Sequence, residues 1–93
     1  MDTDNYLGRV VYSKAGRDMG KRFLIVGVLN DEYVYISDGR LRNIEKPKKK
    51  KLKHLAFTDT VADEIKEMVL SGQKISNPKI KKYLQSQNSD KEV

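Results

Sequence analysis

Two stretches of the chain gather groups that can meet a phosphate. The first is Ala15-Gly16-Arg17-Asp18-Met19-Gly20-Lys21-Arg22, with two glycines four residues apart and three cations on or beside them. Gly16 and Gly20 accept positive φ and let the backbone come close to a ligand, so the loop can offer N–H groups beside positive charge. The second is Lys46-Pro47-Lys48-Lys49-Lys50-Lys51-Leu52-Lys53-His54. Lysine is a mobile point charge that suits phosphate oxygens and reads no base sequence. A guanidinium fork can pair bidentately with phosphate or guanine. Arg17, Lys21 and Arg22 at the loop, with Arg40 and Arg42 further on, are therefore the better candidates for orientation and selectivity.

Other chemistry is thinly supplied. His54 is the only histidine and there is no cysteine, so the usual nucleophile–base pairs are scarce and no thiolate metal site is available. His54 lies inside the lysine tract, where positive neighbours disfavour further charge; it reads as an edge histidine that can touch a nucleic acid. Asp63, Glu64 and Glu67 read as a solvated helix face rather than acid–base catalysts. The glycine spacing is too sparse for a P-loop or dinucleotide fingerprint. The sequence predicts no catalytic residue, no metal, no cofactor and no small-molecule substrate.

The formal charge is +6, unevenly placed. Arg40 to His54 holds eight Lys or Arg residues and one acid, a local +7, which leaves −1 for the remainder. A basic segment of this kind is an electrostatic footprint for a polyanion. The sequence predicts that Arg40 to Lys53 carries most of the affinity. With 93 residues the chain makes one domain with a modest core. The longest apolar run, Phe23 to Leu29, is too short to span a bilayer, and the acidic start Met1-Asp2-Thr3-Asp4-Asn5 is unlike a secretion or mitochondrial signal. These features predict a cytoplasmic protein without a membrane partner.

The elements that would hold these groups are mostly strands. Leu7 to Lys14 has apolar residues on both faces, and Phe23 to Leu29 is a continuous apolar run in which Gly27 suggests a bulge. Tyr33-Val34-Tyr35-Ile36 alternates, with the tyrosines opposite Val34 and Ile36 and equally able to stack on bases or pack on the barrel edge, whereas Tyr12 and Phe23 are expected in the core. Asp38-Gly39 predicts a tight turn, Leu41 to Ile44 a returning strand, and Leu52 to Leu55 a fifth short strand. The period then changes. Thr60 to Asp63 resembles a capping box, Val61, Ile65, Met68 and Val69 form a helical stripe, and Gly72 is a helix stop. Ser76 or Asn77 starts a second helix with Ile75 stapled against Ile80, and Gln85 to Val93 is polar and expected to fray.

The ordered set Gly8, Val10, Gly16, Gly20, Lys21 and the apolar strand Leu24 to Leu29 resembles a KOW motif. Met19 and Phe23 depart from the elongation-factor type. Tyr33 to Gly39, followed by basic residues, Lys53-His54-Leu55 and Thr58, is similar to KOW proteins of the large ribosomal subunit and their small bacterial relatives. The resemblance covers roughly residues 7 to 58. It implies an SH3-like barrel that binds structured RNA, in many relatives ribosomal RNA, with the ribosome or its proteins as neighbours.

The expected architecture is therefore mainly β: an SH3-like KOW barrel over residues 1–58 with a basic tract at 40–54, a helical extension over 59–86 packed on the barrel, and a flexible tail at 87–93. The expected function is non-catalytic RNA binding through Arg17, Lys21, Arg22, Arg40, Arg42, Lys46, Lys48, Lys49, Lys50, Lys51, Lys53 and His54, with Gly16 and Gly20 shaping the loop and Tyr33 and Tyr35 able to stack. One rival is a protein-interaction module of the transcription or translation machinery, with the helical tail as its docking element. DNA is a second rival, because phosphate contact does not distinguish the two polymers and a 2′-OH contact would.

Overall fold

The structure, a computed structural model, describes residues 5–90 of the chain, and side chains as far as Ser86. Five strands come first: β1 (Arg9–Ser13), β2 (Arg22–Val28), β3 (Tyr33–Ser37), β4 (Lys48–Lys51) and β5 (Leu55–Val61). Two helices follow, α1 (Asp63–Leu70) and α2 (Asn77–Asp90). The strands form one antiparallel sheet in the order β4-β3-β2-β1-β5.

A short connection shows that this sheet is curled. β4 and β5 are the two edges, yet only the 3-10 turn Leu52–His54 joins them. Such a turn advances about 2 Å per residue, whereas the edges of a flat five-stranded sheet stand roughly 19 Å apart. The turn is tied at both ends: the Leu52 N–H donates to the Glu32 carbonyl at 2.7 Å and the Lys14 N–H to the His54 carbonyl at 2.7 Å. The result is a small barrel-like unit followed by two helices, the mainly β architecture the sequence predicts. The Gly27 bulge is present as a register shift between Ile25 and Gly27 against β3, and a second shift lies between Arg9 and Val11 against β5.

Two cores explain the strand patterns. Directly opposed residues share a face. The pair Val11 and Phe23 points inward, joining Leu7, Ile25, Val34, Ile36 and Leu55. The neighbouring pair Val10 and Leu24 points outward, into a second core with Ala62, Ile65, Ile75, Ile80 and Leu84. β1 and β2 are therefore apolar on both faces because the helices cover their outer side. β3 alternates from Tyr33 to Ile36 because Val34 and Ile36 are buried while the two tyrosines are only partly covered. Ile65 and Ile80 are fully buried, each contributing about 1.5–3 kcal/mol of burial.

Several elements differ from the sequence expectation. Leu41 to Ile44 is not a strand: Asp38 Oδ1 accepts from the Arg40 and Arg42 N–H groups, both at 2.9 Å, which removes donors a ladder would need. Strand β4 is instead the lysine run itself, paired with β3 through Tyr33–Lys51, Val34–Lys50, Tyr35–Lys49 and Ile36–Lys48. Leu52–His54 is the 3-10 turn, and the fifth strand begins at Leu55 and continues to Val61, past the expected barrel limit at residue 58. The capping box at Thr60 does not form. Val61 is still paired with Arg9, so α1 begins at Asp63 with Ala62 as its uncapped lead-in. Asp63 and Glu64 in the first turn supply favourable charge there.

The end of α1 is a Schellman motif: Gln73 N–H to the Met68 carbonyl at 2.9 Å and Gly72 N–H to the Val69 carbonyl at 3.2 Å. At the start of α2, Ser76 Oγ accepts from the Lys79 N–H at 3.3 Å, while Ile75 and Ile80 share the outer core. The α2 backbone continues to Asp90, beyond the predicted fraying at Gln85. Residues 91–93, the end of the expected tail at 87–93, lie outside the described residues, as do residues 1–4. Among the described residues no helix is long and apolar enough to cross a membrane.

Candidate nucleic-acid interface

Loop 14–21 connects β1 to β2. Its ends are pinned by a Ser13 N–H to Lys21 carbonyl bond at 3.0 Å and a Gly20 N–H to Ser13 carbonyl bond at 2.8 Å. Gly16 and Gly20 both have positive φ, 81° and 83°, and no atom crowds Gly20. Arg17, Lys21 and Gly20 are exposed. Asp18, between them, is buried and ion-paired: Arg42 reaches its Oδ2 with Nε at 3.0 Å and Nη2 at 2.9 Å. That pair fastens the first loop to a second, residues 38–42.

The second loop is held at several points. Ser37 Oγ donates to the Arg42 carbonyl at 2.6 Å and accepts from the Gly39 N–H at 3.2 Å. Gly39 has φ +73°, and a Cβ there would fall 2.3 Å from the Asn77 carbonyl oxygen at the head of α2. Only glycine lets this loop lie so close to the helix. Asn77 strengthens the join, accepting from the Ile44 N–H at 2.7 Å and donating to Glu45 Oε1 at 2.8 Å. The Asn77 hydrogen bond holds the Glu45 carboxyl below its usual range, aided by a backbone N–H and the Lys74 charge, with slight burial opposing.

The third wall is α2. Arg22, at the start of β2, donates from Nη2 to the Leu84 carbonyl at 2.9 Å. A groove of about 610 Å³ opens between the three walls, lined by Tyr12, Lys21, Arg22, Arg40, Lys81 and Gln85 with Gly20, Asp38, Leu41 and Leu84. A neighbouring hollow of about 500 Å³ continues from Lys21 and Leu41 to Arg17 and Arg42. Four cations face the first groove against one carboxylate, Asp38, which is already engaged by backbone N–H groups. The described ion pairs, Arg42–Asp18 and Lys79–Glu64, leave Lys21, Arg40 and Lys81 without a side-chain partner among the described residues.

The lysine tract has a different character. Lys50 is buried, 8% exposed, and donates to the Ala15 carbonyl at 2.9 Å beside Gly16. Lys49 and Lys51 stand on the opposite face with Nζ 5.1 and 5.6 Å from the centre of the Tyr33 ring. Tyr35 lies against Gly27. Lys48 is half-buried, Lys46 and Lys53 are exposed, and His54 is half-buried in the 3-10 turn. Of the predicted site residues, the fold brings Lys21, Arg22 and Arg40 together in the groove and sets Arg17 beside Lys21 in the neighbouring hollow. It engages Arg42 and Lys50 within the protein and sets Lys49, Lys51, Tyr33 and Tyr35 on a separate face. Lys81 and Gln85 were not among the predicted residues, and Tyr12, expected in the core, is half-buried in the groove wall. Lys81 is one lysine of an amphipathic helix, and only the docking of that helix sets it in a groove with Lys21 and Arg40. Neither the protein-family models nor the curated proteins compared with the chain match it.

Proposed function

We propose that this protein is a non-catalytic RNA-binding module that seats the backbone of a folded RNA, by the KOW resemblance a ribosomal one, in the groove between loops 14–21 and 38–42 and helix α2. The carrying observation is the convergence of Lys21, Arg22, Arg40 and Lys81 on one groove. Tyr12 offers an aromatic surface in its wall. Phosphate contact by such cations fixes position without reading sequence. The KOW resemblance favours RNA over DNA, and the lack of cysteine suits the cytoplasm this reading assigns. An apolar patch left exposed on Ile65, Met68 or Leu84 would favour the protein-interaction reading; Ile65 and Leu84 are buried in the outer core and Met68 is half-buried against it.

The test is binding of a fluorescent RNA hairpin, and a DNA hairpin of the same sequence, over a range of salt. If all four groove cations meet phosphates, the log–log salt slope is roughly −3 to −4. Tighter binding of the RNA hairpin is expected. A flat salt response, or equal binding of the DNA hairpin, overturns the reading.

A further inference from the structure

Leu41 is an exposed leucine set between two basic hollows. It is 57% exposed. It lines the groove of Lys21, Arg22, Arg40 and Lys81 and also the hollow of Arg17 and Lys21. A lone exposed leucine is ordinary on a protein surface. This one stands on an unusually fixed turn. Asp38 Oδ1 holds the N–H groups on either side of it, those of Arg40 and Arg42, at 2.9 Å each. Behind it the Arg42 carbonyl receives the Ser37 hydroxyl at 2.6 Å and the Asp38 N–H at 3.1 Å. The Arg42 side chain is locked on Asp18, and Gly39 rests on α2. The conformational cost of presenting this side chain is therefore met by the fold before any ligand arrives.

We propose, resting on the RNA-binding reading, that Leu41 is a wedge that packs against the face of an unstacked base, so that the groove selects RNA helices interrupted by a bulge or internal loop. The cations on its two sides hold the phosphates that flank the interruption. Leucine makes no hydrogen bond, so the wedge reads the availability of a base face and not the identity of the base. In a continuous A-form duplex the base faces are stacked against one another and the deep groove is too narrow for side chains. Leu41 then loses water without gaining a partner. Apolar side chains inserted at base steps act in this manner where proteins kink nucleic acids.

The experiment compares two RNA hairpins of equal length and charge, one continuous and one with a single-nucleotide bulge, by fluorescence anisotropy at fixed salt. The wild-type chain is expected to favour the bulged hairpin by about tenfold, the factor that burial of one leucine against a base supplies. Leu41→Ala is expected to cut that preference to about twofold, Leu41→Met to keep it, and both to keep the salt slope, since no phosphate contact is lost. Because Leu41 is exposed, both variants should melt with the wild type. Equal binding of the two hairpins by the wild type, or an undiminished preference in Leu41→Ala, overturns the wedge while leaving RNA binding in place. Absence of salt-dependent binding to either hairpin removes the RNA reading and the wedge with it.

Discussion

The lysine strand and the groove carry comparable positive charge and differ in how much of it is free. In β4 the alternation of a strand divides four consecutive lysines between two faces. Lys50 goes inward to the Ala15 carbonyl, and Lys49 and Lys51 cover the Tyr33 ring. The groove draws Lys21 and Arg22 from the entry to β2, Arg40 from the 38–42 loop and Lys81 from α2, segments far apart in sequence, and aims them at one volume. Charge density along a chain thus measures attraction at a distance, while convergence in space determines where an anion can be held. Long-range attraction from the tract and seating in the groove are separable by two binding experiments, and two further measurements test how the tract and the groove are held in the fold.

The largest effect is expected at the join that makes the groove. Gly39→Ala places a methyl against the Asn77 carbonyl at positive φ, costing roughly 2–4 kcal/mol from strain and overlap. A lower melting temperature is expected together with loss of RNA binding, although every lysine of the tract remains. Retained affinity would show that the tract suffices without the groove.

Neutralising the groove itself comes next. The triple variant Lys21→Gln, Arg40→Gln, Lys81→Gln should weaken hairpin binding by about thirtyfold at moderate salt and flatten the salt slope by roughly 2 to 3, one increment per lost phosphate contact. Lys49→Gln with Lys51→Gln should lower affinity several-fold less. If the two sets cost the same, the groove holds no privilege over the tract.

Within the tract, neighbouring lysines should behave unlike one another. Lys50→Ala removes one of the two donors to the Ala15 carbonyl, which keeps the Ser13 hydroxyl at 2.9 Å, and removes a buried aliphatic stem, for a loss of about 1–2 kcal/mol. Lys49→Ala changes an exposed residue and should stay within about 0.5 kcal/mol. Chemical denaturation of both variants measures the difference, and equal losses would mean that the inward bond of Lys50 contributes nothing.

The smallest effect concerns the Glu45 tether. Its carboxyl is held below the usual range by Asn77, so its contribution to stability is present above the unfolded pKa and is lost as pH falls through the lowered folded value. Asn77→Ala should return the Glu45 titration toward its ordinary position in a carbon-detected NMR titration. An unmoved Glu45 titration would show that the other nearby groups, and not Asn77, set it.

The sequence made the two-sided strands legible because an unbroken apolar run has no polar face to solvate, and Tyr33 to Ile36 legible because its alternation reports one covered side. The glycine at position 27 carried its bulge openly. The lysine strand was hidden. Lysine has little preference for strands, and pairing with β3 alone fixes Lys48–Lys51 in extended form. The 41–44 segment misled because Asp-Gly is a common hairpin turn, while here Asp38 takes the N–H groups for itself and Gly39 serves the approach of α2. Three of the four groove cations were visible as Lys21, Arg22 and Arg40, and Arg17 lies in the neighbouring hollow. Lys81 was not, since no local pattern states which side of a helix will lie beside a distant loop.

The position of β4 at the sheet margin has a consequence for behaviour in a crowded solution. A margin strand offers a row of unmatched peptide groups on which another polypeptide can crystallise into a longer sheet. Here that row belongs to Lys48–Lys51, so a second copy attempting to add there would bring its own lysines alongside. Mutual repulsion among the outward lysines, Lys49 and Lys51, makes the margin a poor template, and it works against self-assembly whether or not any RNA is bound.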